Sequence, residues 1–211
     1  MFDIIFKATT ETLYMVFFST ILSIILGFIP AVILTLTADD GLKPNKPVYE
    51  TLSLIVNIFR SFPFIILLVL VIPFTRLIVG KAIGSTAAIV PLTISAIPFV
   101  ARVFESSLRS VDPGVIEAAR SFGANNFQII TRVYLKEAFP SMINDVCLLI
   151  INLIGYTAMA GSVGAGGLGD VAIRFGYQRY QFDYLVVCSA VLIVLVQLVQ
   201  MIGNHFYKRL A

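Results

Sequence analysis

Between Glu11 and Asp39 the chain carries no charged side chain. Residues 82–101, 146–169 and 184–207 are likewise free of Asp, Glu, Lys and Arg, and residues 51–75 hold a single charge, Arg60. A bilayer core about 30 Å thick is crossed by roughly 20 apolar residues of helix. The backbone groups of a segment in lipid must be satisfied within that segment, and a helix does this. The five runs therefore predict an all-α integral membrane protein with five transmembrane helices. Composition agrees, since charged residues make up 13% of the chain against about 25% in soluble domains. A β-barrel would need short alternating strands, and none is visible. The first apolar run exceeds a signal h-region and lacks a basic n-region and small-residue cleavage site, so it reads as a permanent span.

Five spans put the termini on opposite sides, and the distribution of Lys and Arg orients them. One set of flanks holds Lys43, Lys46, Arg102, Arg109, Arg120, Arg132, Lys136, Lys208 and Arg209; the other holds Lys7, Arg76, Lys81, Arg174 and Arg179. Nine against five predicts a cytoplasmic C-terminus and an outside N-terminus. The formal net charge of +3 reflects this topology and gives no sign of nucleic-acid binding. One His and two Cys leave little for a metal site; Cys147 and Cys188 lie in apolar runs and read as small buried hydrophobes. Arg60 either snorkels or faces the protein interior, and its place near the cytoplasmic end of its run favours snorkelling. Pro30, Pro63, Pro73, Pro91 and Pro98 fall in or near spans, as is common in membrane helices or as kinks around a path.

Gly164, Gly166 and Gly169 in "SVGAGGLGD" have the G-x-G-x-x-G spacing of a dinucleotide-binding turn. That turn needs a preceding strand, a following helix and an acidic residue about 20 positions on. Here the preceding stretch is a membrane span and the acid is missing, which excludes the nucleotide. Two compatible roles remain: close helix packing through small residues, and helix unwinding beside a cavity. Tyr156 and Met159 are the bulky exceptions in this thin stretch and mark a possible translocation path.

Residues 111–140 read as two helices. Asp112 is a suitable N-cap, Pro113 a first helical residue and Gly123 a left-handed C′ residue. Asn125 or Asn126 caps the second helix, and Pro140 marks a kink or boundary before the fourth span. Val115, Ile116, Ala119 and Phe122 form an apolar stripe on the first helix. Such a stripe packs on its own core in most proteins; a short helix on the cytoplasmic side of a membrane protein also suits a partner's groove.

"EAARSFGA", residues 117–124, with "AFP" ending at Pro140, resembles the EAA loop of ABC importer permeases, in which E-A-A is followed by three residues and G and later by L-P. Together with "IVNIFRSFPFIILLVLVIPFTRLIVG", "AAIVPLTISAIPFVAR" and "GYTAMAGSVGAGGLG", it identifies the chain as similar to the permease subunits of methionine ABC importers over roughly residues 10–207.

The resemblance implies a type I ABC importer permease fold: one transmembrane domain over residues 1–211, with the EAA coupling loop at about 111–140. It implies a second copy of the chain, two cytoplasmic ABC ATPase subunits and an extracytoplasmic methionine-binding protein, in a bacterial cytoplasmic (inner) membrane. Glu117, Ala118, Ala119, Arg120 and Gly123 would belong to the ATPase-coupling element, and Met159, with Tyr156, to the path or gate. ATP and Mg would sit on the partner ATPase, with no cofactor and no catalytic site on this chain; no G-x-x-x-x-G-K-[ST] occurs in it. Import of methionine, as the D or L isomer or a close analogue, would proceed by alternating access. A secondary transporter or channel that needs no ATPase is the alternative, though such transporters usually show internal repeats and intramembrane ionisable groups. A membrane scaffold would dock the ATPase without solute flux.

Overall fold

The structure is a computed structural model and describes residues 1–210. The described residues form ten α-helices and no strand: α1 (Phe2–Thr37), α2 (Lys46–Arg60), α3 (Phe64–Leu70), α4 (Ile72–Val79), α5 (Ser85–Arg109), α6 (Pro113–Ser121), α7 (Asn126–Ile129), α8 (Leu135–Gly161), α9 (Gly167–Val171) and α10 (Phe182–Leu210). Four helices are long and apolar enough to cross a membrane: α1, α5, α7 continued into α8, and α10. The fifth expected span is broken. Its halves, α2 and α3, meet at 97°. Pro63, extended at φ −60° and ψ 126°, stands at the start of α3; it has no N–H to continue the α2 ladder and disfavours helix at Phe62. Arg60 is therefore not embedded in a continuous apolar helix, as the charge pattern predicts. It is the last residue of α2, exposed at the break.

α1 is apolar all round, and its buried side is its less hydrophobic one. Ala8, Thr12, Met15, Ser19, Ser23, Gly27, Ala31 and Leu34 follow helical spacing and are buried, whereas Phe17, Ile21, Ile25 and Ile29 are exposed. In lipid the exposed stripe costs nothing, and small residues on the inner stripe let two helices approach closely. They do so against α5: a Cβ on Gly27 would lie 2.7 Å from Val100 Cβ and 2.9 Å from the Ile97 carbonyl oxygen. Val100, Phe104, Leu92, Leu149 and Leu153 fill the core between α1, α5 and α8.

α5 also anchors α2 and α8. Arg102 pairs with the buried Glu105 at 2.7 Å and donates to Asn57 Oδ1 and to the Ser53 hydroxyl. Tyr49 donates to Glu105 Oε1 at 3.0 Å, and Arg109 reaches Asp40 Oδ1 at 2.9 Å. On the α8 side Ser107 donates to the buried Asp145 at 2.5 Å. These contacts gather where the 111–140 segment lies, here termed the loop end of the bundle; α9 marks the opposite, glycine end.

The second helix of that segment is not separate from the fourth span. Asn125 caps α7 in a reciprocal capping box with Gln128, and a π-helical turn over Ile130–Tyr134 joins α7 to α8 without a gap. Pro140 lies inside α8, so of the kink or boundary that its type predicts it is not the boundary. Cys188 is fully buried beside Ala8, Leu168 and Val171, as expected, whereas Cys147 is only half-buried, packed where Gly203 of α10 leaves room for its sulfur.

Gly27→Val would drive a branched side chain into Val100 and the Ile97 carbonyl. Overpacking of this kind costs roughly 1–3 kcal/mol, so the detergent-solubilised variant should unfold at a clearly lower temperature or denaturant midpoint. Ile25→Val, on the exposed face, should leave the midpoint in place. Equal midpoints for both variants would mean that α1 does not approach α5 through Gly27.

Candidate functional site

Three features stand out from the helical frame. The first is α6, at the loop end. Asp112 accepts from the Gly114 N–H at 2.7 Å and starts the helix with Pro113 in its first turn. Gly123 follows Phe122 with φ +80°, which suits the left-handed C′ position read from its type. The apolar stripe of α6 divides. Ile116 and Ala119 pack half-buried against Leu108, Val111, Ile129 and Tyr134 of the same chain, while Val115 is exposed and Phe122 is 92% exposed. Glu117, Ala118 and Arg120 are exposed as well. Of the two roles the stripe could take, the chain itself receives Ile116 and Ala119, and the free face is Val115, Ala118 and Phe122. α6 leads through Gly123 into α7, and the continuous helix Asn126–Gly161 has 36 residues, roughly 54 Å at 1.5 Å per residue.

The second feature is the far end of that helix. Tyr156 is half-buried and its ring stacks on Phe64 at 4.6 Å, with planes 7° apart. Met159, one turn on, is 51% exposed. Because Phe64 follows the α2–α3 break directly, the stack brings the break next to Tyr156, one turn before Met159. The sequence singled out Tyr156 and Met159 but gave no sign that residues 60–64 join them.

The third feature is the glycine turn. Gly164, Gly166 and Gly167 have φ of +85°, +81° and +77°, so the chain unwinds after α8 where no side chain fits well. The turn is held from α1: Glu11 Oε2 accepts from the Gly167 N–H at 2.8 Å, and the Thr12 hydroxyl accepts from the Leu168 N–H at 2.9 Å. These two residues occupy the N–H groups that a phosphate would need, which agrees with excluding a nucleotide. Gly161 and Gly169 act by size. A Cβ at Gly161 would lie 2.2 Å from the Asp170 nitrogen, and one at Gly169 2.3 Å from the Ala158 carbonyl oxygen. Both roles foreseen for the glycines, packing and unwinding, are filled by different members of the run. Glu11 and Thr12 escaped sequence reading because nothing local links them to residues 156 positions away.

Thus the structure groups Glu117, Ala118, Ala119, Arg120 and Gly123 at the loop end, and Tyr156 and Met159 towards the glycine end. It separates the two groups by the length of α8.

Gly169→Ala and Gly123→Ala distinguish these glycine roles. Around Gly123 nothing lies within 4 Å of an added Cβ, so only its positive φ is penalised, at roughly 1 kcal/mol. Gly169→Ala meets backbone that cannot yield, and should lower the unfolding midpoint by clearly more. The opposite ranking in thermal unfolding would contradict the packing of α8 on α9.

With this geometry in place, comparison with known proteins is informative. A family model described as the binding-protein-dependent transport system inner membrane component matches residues 23–211. The chain is 51% identical over 207 residues to the probable D-methionine transport system permease protein MetI of Vibrio cholerae serotype O1, covering 98% of this chain and 92% of that one. It is 42% identical over 200 residues to the methionine import system permease protein MetP of Bacillus subtilis, covering 95% and 90%. Among solved structures, a chain of the inward-facing MetNI methionine ABC transporter superposes with a TM-score of 0.98 at 43% identity, covering 100% of this chain and 98% of that chain.

Proposed function

Since the chain belongs to the family of binding-protein-dependent transport system inner membrane components, we propose that it is the membrane-spanning permease subunit of an ABC importer that moves methionine, driven by ATP hydrolysis on a separate subunit. The near-complete superposition on the MetNI permease chain, at 43% identity, is the observation that carries this reading. Residues 1–211 act as one transmembrane domain, without a catalytic site of their own. The working unit holds two copies of the chain, two cytoplasmic ATPase subunits that bind ATP and Mg, and an extracytoplasmic methionine-binding protein. Family membership supports this composition. The loop end faces the cytoplasm, with the N-terminus outside and the C-terminus inside; the nine-to-five bias of Lys and Arg supports that orientation.

In this reading α6 is the coupling element. Val115, Ala118 and Phe122 meet the ATPase, while Ile116 and Ala119 fasten the helix to its own chain, so that a push on α6 is delivered to α7 and α8. Asp112 and Gly123 keep the helix short and fix its exit. The π-helical turn at Ile130–Tyr134 supplies a place for bending, and the far end of α8 carries Tyr156 and Met159. Met159, flexible and half-exposed, seals an apolar constriction. The cycle needs ATP and the loaded binding protein to favour different states of the permease.

Proteoliposomes containing the chain, its ATPase and its binding protein should take up radiolabelled methionine only with ATP inside the ATPase compartment. Phe122→Ala should weaken ATPase co-purification by roughly tenfold or more, as for a well-packed aromatic anchor, and Gly123→Val should lower the methionine imported per ATP. Lys81→Ala should change neither. Uptake that proceeds without the ATPase would overturn the assignment in favour of a secondary transporter or channel. ATPase binding without any flux would leave a scaffold.

For orientation, single cysteines replacing Asn125 and Lys81, in a background lacking Cys147 and Cys188, should behave differently towards an impermeant thiol reagent in intact cells whose outer barrier has been opened. Position 81 should react and position 125 should not; the reverse would invert the topology.

A further inference from the structure

The break between α2 and α3 places a charge where a membrane helix seldom carries one. Phe59 lines one apolar groove with Ile97 and Pro98 of α5, so Arg60 lies level with the middle of α5, which runs from Ser85 to Arg109. At 1.5 Å per residue that level is roughly 15–20 Å from either end of α5. Arg60, Ser61, Phe62 and Pro63 are all exposed, and among the described residues Arg60 has no salt-bridge partner and no side-chain hydrogen bond. Two independent constraints apply. A guanidinium at that depth does not face hydrocarbon cheaply. Irregular backbone at membrane depth is tolerated only when buried in protein or lining a water-filled cavity.

A second copy of the chain does not supply the missing anion, because it carries the same acids. Among the described residues none lies free at this depth. Glu105 is held by Arg102 and Arg109. Asp145 is buried behind Ser107 near the loop end, and Glu11 is committed to the glycine turn at the other end. The remaining acids sit at helix ends or in connecting turns. The partner of Arg60 thus comes from outside the polypeptide. Through Phe64 and its stack on Tyr156, the break adjoins the end of α8 that carries the half-exposed Met159 one turn further on. A cation beside an apolar, thioether-containing wall is complementary to a small solute with a carboxylate at one end and an apolar side chain at the other.

We propose that Arg60, at the exposed break between α2 and α3, lines the water-filled solute path and binds the carboxylate of the passing solute. This rests on the reading of the chain as a methionine permease and names a specificity-determining residue for it.

The test uses the complete complex in proteoliposomes. Arg60→Met should lower the methionine imported per ATP hydrolysed by about tenfold or more, the size expected when one charge-assisted pair is lost, and Arg60→Lys should recover most of it. An unchanged ratio in Arg60→Met overturns the proposal. An unmodified complex that imports no methionine would instead sink the functional reading, so the two failures are distinguishable. A second measurement applies even where Arg60→Met does not assemble. With Arg60 intact and the native cysteines replaced, Ser61→Cys should react with a water-soluble thiol reagent. Excess methionine should slow that reaction, and methioninol, which lacks the carboxylate, should not. A Ser61→Cys that ignores the reagent, or is slowed equally by both compounds, would remove Arg60 from the path as its carboxylate site.

Discussion

A Cβ at Gly27 would stand 2.7 Å from Val100 Cβ, so α1 lies against α5 closer than ordinary side chains permit, and much of the remaining structure hangs on that seam. In lipid there is little hydrophobic drive for two apolar helices to associate, since lipid tails are as apolar as leucine. Close packing takes over, and it works only where the inner stripe is small. α1 provides such a stripe through Ala8, Ser19, Ser23, Gly27 and Ala31. Once α1 is seated, its first half carries Glu11 and Thr12 to the N–H groups of Gly167 and Leu168. The same α5 holds α2 through Arg102 and Glu105, and α8 through Ser107 and Asp145.

The polar contacts are not spread evenly along this frame. Ion pairs gather at the loop end around Glu105, which receives Arg102, Arg109 and Tyr49. At the other end backbone N–H groups are capped by α1. Between them the core of Leu92, Val100, Phe104, Leu149 and Leu153 is apolar. Rigidity is thereby concentrated on the side of α5 that faces α1. Away from the seam the chain keeps two interruptions, the 97° break after Arg60 and the unwound glycines after α8, which α1 caps. The break adjoins the end of α8 that carries Tyr156, through Phe64. A rigid seam combined with irregular backbone elsewhere suits a protein that must open a route for a solute without coming apart.

The two candidate sites are also separated in a definite way. α6 is fastened to the chain by Ile116 and Ala119 but leaves Phe122 free. The continuous helix from Asn126 to Gly161 runs from the loop end to Met159, which is the span the proposed coupling would have to cross.

Much of this was legible in the residue order. Uncharged runs set the number and place of four spans, because burying a charge in hydrocarbon is costly whatever the neighbours are. Asp112, Pro113 and Gly123 defined α6 to within a residue, because capping depends on local backbone geometry alone. The stretch before Gly164–Gly169 reads as a membrane span where a strand is required, and that was enough to exclude a nucleotide. Pairings across the chain were not legible. Nothing near Glu11 points to Gly167, and nothing near Pro140 tells that it lies within a continuous helix instead of at its start. The stripe on α6 seemed uniform, and only the position of Tyr134 and Ile129 divided it into a fastened half and a free half. Arg60 shows the difference most plainly. Its type and its apolar surroundings revealed that a charge lies at membrane depth, since hydration cost is a property of the residue. Whether it snorkels from a continuous span or ends a helix at a break depended on the direction the chain takes after Pro63, and that was decided by packing against α5 and α8.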